Sequence, residues 1–105
     1  NGTRLIVKEF DDISINELRT LSDDIKAGNK GICMVFASKA KGKVTFLVSL
    51  TDDIVERGYH AGKMIKEIAA AAGGGGGGKA DMAQAGGKDP SKINAAFDVA
   101  KKLLS

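Results

Sequence analysis

Residues 4–10, "RLIVKEF", pack branched and aromatic side chains closely enough to predict a first β-strand. The period then changes. In "DDISINELRTLSDDIKAG", Ile15, Leu18, Leu21 and Ile25 recur on one helical face. Ser14 and Glu17 stand at capping-box spacing, in which each side chain bonds the other's backbone N–H, and Gly28 is placed to end the helix in a left-handed turn. "GICMVFASKAKGKVTFLVSL" predicts two strands, residues 31–38 and 43–50, connected through Lys39, Lys41 and Gly42. Both runs are apolar without alternation, as strands buried on two faces are, which puts them at the centre of a sheet. The lysine-rich hairpin tip either discourages edge pairing or touches an anionic ligand.

"TDDIVERGYH" reads as an irregular or one-turn segment, with Tyr59 and His60 left either to stack on a base or to pack and cap the next helix. That helix, "AGKMIKEIAAAA", carries an apolar stripe of Ala61, Met64, Ile65, Ile68, Ala69 and Ala72, while Lys63, Lys66 and Glu67 fall off it and face solvent or a partner. "DPSKINAAFDVAKKLL" predicts a final helix. Asp89 or Ser91 caps it, Pro90 suits its first turn, and Ile93, Ala96, Phe97, Ala100, Leu103 and Leu104 form its buried face. Between the last two helices, "GGGGGGKADMAQAGG" follows no period at all, and eight of the fourteen glycines fall between Gly73 and Gly87. The expected fold is α/β: one domain over residues 1–105, a small mixed sheet of three to five strands with about three helices packed on it.

Composition agrees with an ordinary globular domain: 105 residues, 43% hydrophobic and 28% charged, are enough to bury one core and far from disorder. The longest apolar runs are seven residues, against roughly 20 for a bilayer span. No charged leader opens the chain, and a start at Asn1 is expected of an excised or processed fragment. The one cysteine, Cys33, lies in an apolar run and reads as a buried thiol. With His60 as the only histidine, no zinc site and no acid–base constellation can be assembled, so no catalytic residue is assigned. The net charge of +3 is unevenly spread. Residues 1–25 hold six acids against three bases, residues 26–50 five lysines and no acid, and residues 57–105 eight bases against four acids. Basic charge after the first helix and around the glycines is compatible with an anionic partner.

Three readings of the glycine run compete. A slack linker should separate two units with cores of their own, but only about 18 residues follow it. A nucleotide loop is matched by Gly73, Gly78 and Lys79, yet Ala80 stands where the Mg²⁺-binding hydroxyl belongs. Such a loop also enters a helix, whereas here a helix runs into the glycines. What remains is an ordered, bare stretch that packs tightly or admits a bulky ligand, and ordering it costs on the order of 6–12 kcal/mol of backbone entropy.

The same residues resemble the C-terminal, DHH-associated domain of the alanyl-tRNA synthetases. The pattern there is a glycine run, a basic residue, a short residue, Asp, then Ala-Gln-x-Gly-Gly. It is matched by Gly73 to Gly78, Lys79, Ala80, Asp81, Ala83, Gln84, Gly86 and Gly87. "AGKMIKEIA" and "KVTFLVSLTDDI" are similar to the family as well, so the resemblance covers essentially the whole chain. It implies a cytoplasmic, non-catalytic part of a larger alanine–tRNA ligase. That parent would use ATP, Mg²⁺ and Zn²⁺ elsewhere, while this domain needs no cofactor and no membrane. Its partners would be alanine-specific tRNA, gripped at the outer corner to support charging and editing, and the rest of the synthetase. Self-association would need an adjoining helical segment that is absent from this chain.

On that resemblance, RNA is bound through shape and backbone charge. The bare strip Gly75, Gly76, Gly77 and Gly78 admits the RNA, Lys79, Lys63 and Lys66 meet phosphates, and Gln84 hydrogen-bonds a sugar or base edge. Asp81 is expected to organise the loop by accepting bonds from glycine N–H groups, together with Gly86 and Gly87. Two alternatives share the module: the nucleic-acid-gripping end of a DHH-type phosphoesterase, in which His rather than Lys79 follows the glycines, and a stand-alone alanyl-tRNA editing protein.

Overall fold

The structure, a computed structural model, describes residues 3–104. Five strands form one sheet in the order β1-β2-β3-β5-β4. β1 (Arg4–Asp11) runs into α1 (Ile15–Lys26), and β2 (Ile32–Ala40) returns parallel to it, with Arg4 opposite Ile32 and Asp11 opposite Lys39. The α1 entrance matches the expected box in one half. Ser14 Oγ accepts from the Glu17 N–H at 3.2 Å, but the Glu17 carboxylate answers the Ser14 hydroxyl at 3.1 Å and not the backbone. Gly28, at φ 75°, sits past the helix end as expected.

β3 (Lys43–Leu50) pairs antiparallel with β2, Phe36 lying opposite Leu47. The connection is tighter than the sequence predicts. Only Lys41 (φ 53°) and Gly42 (φ 75°) form the turn, the paired left-handed geometry of a two-residue hairpin. Lys39 therefore belongs to β2, where its ammonium meets Glu9 at 3.0 Å and Asp11 at 3.7 Å, and these carboxylates push its pKa up. One lysine of the expected basic tip is thus already satisfied on β1.

The period-2 alternation of a central strand sorts β2 and β3 into two cores. Ile32, Met34, Phe36 and Leu47 meet Leu18 of α1 on one face; Phe36 and Phe10 there stand edge to face at 5.5 Å. Cys33, Val35, Ala37, Phe46, Val48 and Leu50 face the other way, against α3 (Ala61–Ala70) and α4 (Ile93–Leu103). The result is three layers: α1, the sheet, then α3 with α4. The short α2 (Asp52–Glu56) follows β3. The whole apolar stripe expected on α3 is buried, and Lys63, Lys66 and Glu67 are exposed. His60 caps α3 through Nδ1, which accepts the Lys63 N–H at 3.2 Å, and Tyr59 packs on the core. Asp89 caps the 3₁₀ turn Pro90–Lys92 that leads into α4, accepting from the Ser91 N–H at 3.0 Å.

Candidate nucleic-acid interface

The glycine segment, read from sequence as an ordered turn, is an antiparallel edge hairpin: β4 (Gly75–Gly78) and β5 (Met82–Gly87). It begins as a helix cap. Gly73 takes φ 72° and donates to Ala70 O at 3.1 Å, while the Gly74 N–H reaches Ala69 O at 2.9 Å, the crossed pair that closes a helix at a left-handed glycine. Alternation along β4 and β5 then divides the glycines into two sets.

One set has no room for a side chain, although Gly76 and Gly78 are themselves exposed. A Cβ on Gly74 would strike the Gly86 carbonyl, and one on Gly76 the Gln84 carbonyl; on Gly78 it would lie 2.6 Å from Ala83 Cα. Gly87 is closed off by Val44, Ala72 and Phe46. On the helix side, a Cβ on Gly62 would come within 2.5 Å of Gly78 O, so α3 rests directly on strand backbone. The other set, Gly75, Gly77 and Gly86, faces the α1 side, where an added Cβ would meet nothing within 4 Å.

That open face is a trough. In register, Thr45 lies opposite Gly86 and Gly86 opposite Gly75; Leu47 lies opposite Gln84 and Gln84 opposite Gly77. α1 covers Leu47 but stops short of β5 and β4, so these rows form a floor beside the helix wall. One half of the trough, about 470 Å³, is bounded by Ile13, Ser14 and Ile15 over Thr45, Gly75, Gly86 and Gln84. The other half, about 290 Å³, lies between Arg19 and Lys79 over Gly77, Gly78 and Gln84, with Asp81 and Met82 at its end.

Backbone bonds hold Lys79 in place. Its N–H donates to Met82 O at 2.9 Å, its carbonyl accepts the Gly62 N–H at 3.0 Å, and Ala80 O accepts the Ala61 N–H at 2.8 Å. The amides that open α3 are therefore capped by this loop, and the segment has none of the geometry of a phosphate loop. Among the described residues Asp81 accepts from no glycine N–H, unlike what the sequence reading expects. Its carboxylate lies 3.8 Å from Lys26 Nζ, and its carbonyl accepts the Leu50 N–H at 2.8 Å, so it fastens the hairpin to α1 and β3.

The expected contact residues are thus distributed over two layers. Gly75, Gly77, Lys79 and Gln84 line the trough with their open faces, and Gly86 belongs with them. Gly76 and Gly78 offer it backbone only, and Gly87 is a packing residue. Lys63 and Lys66 are exposed on α3, which packs on the opposite face of the sheet. Ser14, Arg19 and Thr45, which share the trough, were not among the expected residues. Their local signals are those of a cap, a helix surface and a strand, and nothing in the local pattern connects them to glycines 30 to 72 positions away.

Among the described residues no helix is long and apolar enough to cross a membrane, and no group of three or more His, Cys, Asp or Glu is placed to hold a metal. Residues 2–105 match the family model described as the DHHA1 domain. The alanine–tRNA ligase of Geobacillus kaustophilus is 46% identical over 97 residues, covering 92% of this chain and 11% of that protein. That of Alkaliphilus metalliredigens is 45% identical over 103 residues, 98% of this chain and 12% of the relative. The crystal structure of the C-Ala domain from Aquifex aeolicus alanyl-tRNA synthetase superposes with a TM-score of 0.91 at 33% identity, covering all of this chain and 96% of that one. The chain belongs to the DHHA1 family, as a domain of the alanyl-tRNA synthetase C-Ala type. It spans about a ninth of the length of the curated relatives it matches.

Proposed function

We propose that this chain is the tRNA-binding end of an alanine–tRNA ligase and that the glycine trough is where folded tRNA, at its outer corner, lies against it. One observation carries the reading: a sheet face left bare by α1, floored by a strand without side chains and edged by Lys79. Among the described residues the Lys79 ammonium has no ion pair. The glycine strip of that floor lets a bulky, rigid polyanion come closer than side chains would allow, and the flanking cation meets its phosphates. Gln84, exposed at the middle of the floor, offers a donor and an acceptor to a ribose hydroxyl or a base edge. Lys63 and Lys66 would meet RNA only where it wraps past the β4 edge. The partners are then alanine-specific tRNA and the rest of the synthetase, in the cytoplasm. The ATP, magnesium and zinc of charging and editing belong to other parts of that parent.

Titration of whole tRNA into this chain over a salt series tests the reading. Lys79→Ala should weaken binding and lower the salt slope by about one, the loss of a single phosphate contact. No detectable affinity at low salt, or a slope unmoved by that change, would overturn it. Stronger competition from short single strands than from folded tRNA would move the assignment to the phosphoesterase branch of the family.

A further inference from the structure

One residue that lines the trough with Lys79 has a side chain in no hydrogen bond or ion pair among the described residues. Arg19 is exposed, on the flank of α1, one turn after Ile15 and next to the buried Leu18. Its guanidinium forms no ion pair among the described residues, although Asp23 lies one helical turn ahead of it. It lines the same half of the trough as Lys79, with Gly77, Gly78 and Gln84 between them. The one acid of that lining is Asp81, and Lys26, partly buried on α1, stands 3.8 Å from its carboxylate. Lys26 thus offsets the charge that would otherwise occupy the two cations, leaving a cleft with a net positive end. The neighbouring half has no charged side chain: Ile13, Ser14, Ile15, Thr45 and Gln84 offer apolar surface, hydroxyls and an amide.

From this polarity we infer that Arg19 and Lys79 grip one phosphate from two sides, with the attached nucleoside directed into the neutral half beside Ser14 and Thr45. The inference rests on the proposed function and adds a residue and an orientation to it. The two cations have different tasks. Lys79 is a point charge on a loop fixed by backbone bonds, while the planar guanidinium of Arg19 presents two parallel N–H donors to two phosphate oxygens. Charge at one end only sets which end of the trough holds the phosphate and which the nucleoside.

The test measures whole-tRNA affinity and its salt slope for this chain and for Arg19→Ala, Arg19→Lys, Lys79→Ala and the double alanine variant. Arg19→Ala should weaken binding by roughly tenfold or more and lower the slope by about one. Arg19→Lys should keep the slope but recover only part of the affinity, because the charge stays and the fork is lost. The double variant should lose less than the product of the single losses, as expected for two groups on one phosphate. Wild-type affinity and slope in Arg19→Ala, beside a weakened Lys79→Ala, would overturn the two-sided grip and leave the tRNA reading standing. Full recovery by Arg19→Lys would overturn the bidentate role. Absence of tRNA binding by the unaltered chain would overturn both readings together.

Discussion

Asp53 shows how one side chain can hold several loops. Its carboxylate accepts the Thr51 hydroxyl at 2.6 Å and the Gly31 N–H at 2.9 Å, while Thr51 Oγ1 accepts the Ile32 N–H at 3.1 Å. The loop before β2 is thereby joined to the start of α2. The Thr51 hydroxyl first, then the Gly31 N–H, hold the Asp53 carboxyl below its ordinary value. A carboxyl depressed in the folded state adds stability that is present above the unfolded value, about 3.9, and disappears as pH falls through the folded one. Urea midpoints should therefore drop as the pH is lowered below about 4. Asp53→Asn should be less stable at pH 7 and should show a shallower acid limb. An unchanged limb would mean that these bonds do not persist in solution. Asp89, depressed by its Ser91 partners, acts in the same direction and keeps part of the limb in that variant.

At the scale of elements, β4 separates two jobs that a run of identical residues conceals. Gly76 has no room for a methyl because the β5 backbone lies where its Cβ would stand, whereas Gly75 and Gly77 face open space. Gly76→Ala should cost about 1–3 kcal/mol in urea unfolding, the usual penalty for forcing atoms into a filled site. Gly75→Ala and Gly77→Ala should be neutral or stabilising by roughly 0.4–1 kcal/mol, since alanine restricts the unfolded chain more than glycine does. The same two changes should weaken tRNA binding by raising the floor. Equal stability of the Gly76 and Gly75 variants would show that β4 is not seated on β5 and α3 in this way. The hairpin was the element least legible beforehand, because strand prediction relies on branched and aromatic side chains and β4 has none. Its strand character comes from pairing with β5, whose Ala83, Ala85 and Gly87 alternate toward the α3 core. By contrast, α1, α3 and α4 announced their buried faces through a 3.6-residue period that tertiary packing only had to accept.

For the molecule as a whole, the central strand β2 serves as a reporter. Cys33 lies fully buried on it, and desolvation pushes its thiol up to about 12. The thiolate is the reactive form, so at pH 8 the native chain should be inert toward a disulfide reagent and react only on global unfolding. The labelling rate should rise with urea in step with the unfolding rate. Fast labelling without denaturant would reveal local opening between β1 and β2. Here the sequence reading and the structure agree, since a strand apolar on both faces has no place except between two layers.

The amino-acid sequence by itself determined the helices and their buried faces, the central pair of strands, the Ser14 cap of α1 and the family signature around Lys79, because each is written in local period or local motif. Tertiary structure decided which glycines are filled and which are open, that Asp81 answers Lys26 and not the loop, that Lys39 answers β1, and that Arg19 and Lys79 line one cleft. Glycine has no side chain whose polarity could mark its surroundings, and Arg19 stands 60 positions before Lys79. Only the docking of α1 beside the edge hairpin brings those two cations to one trough.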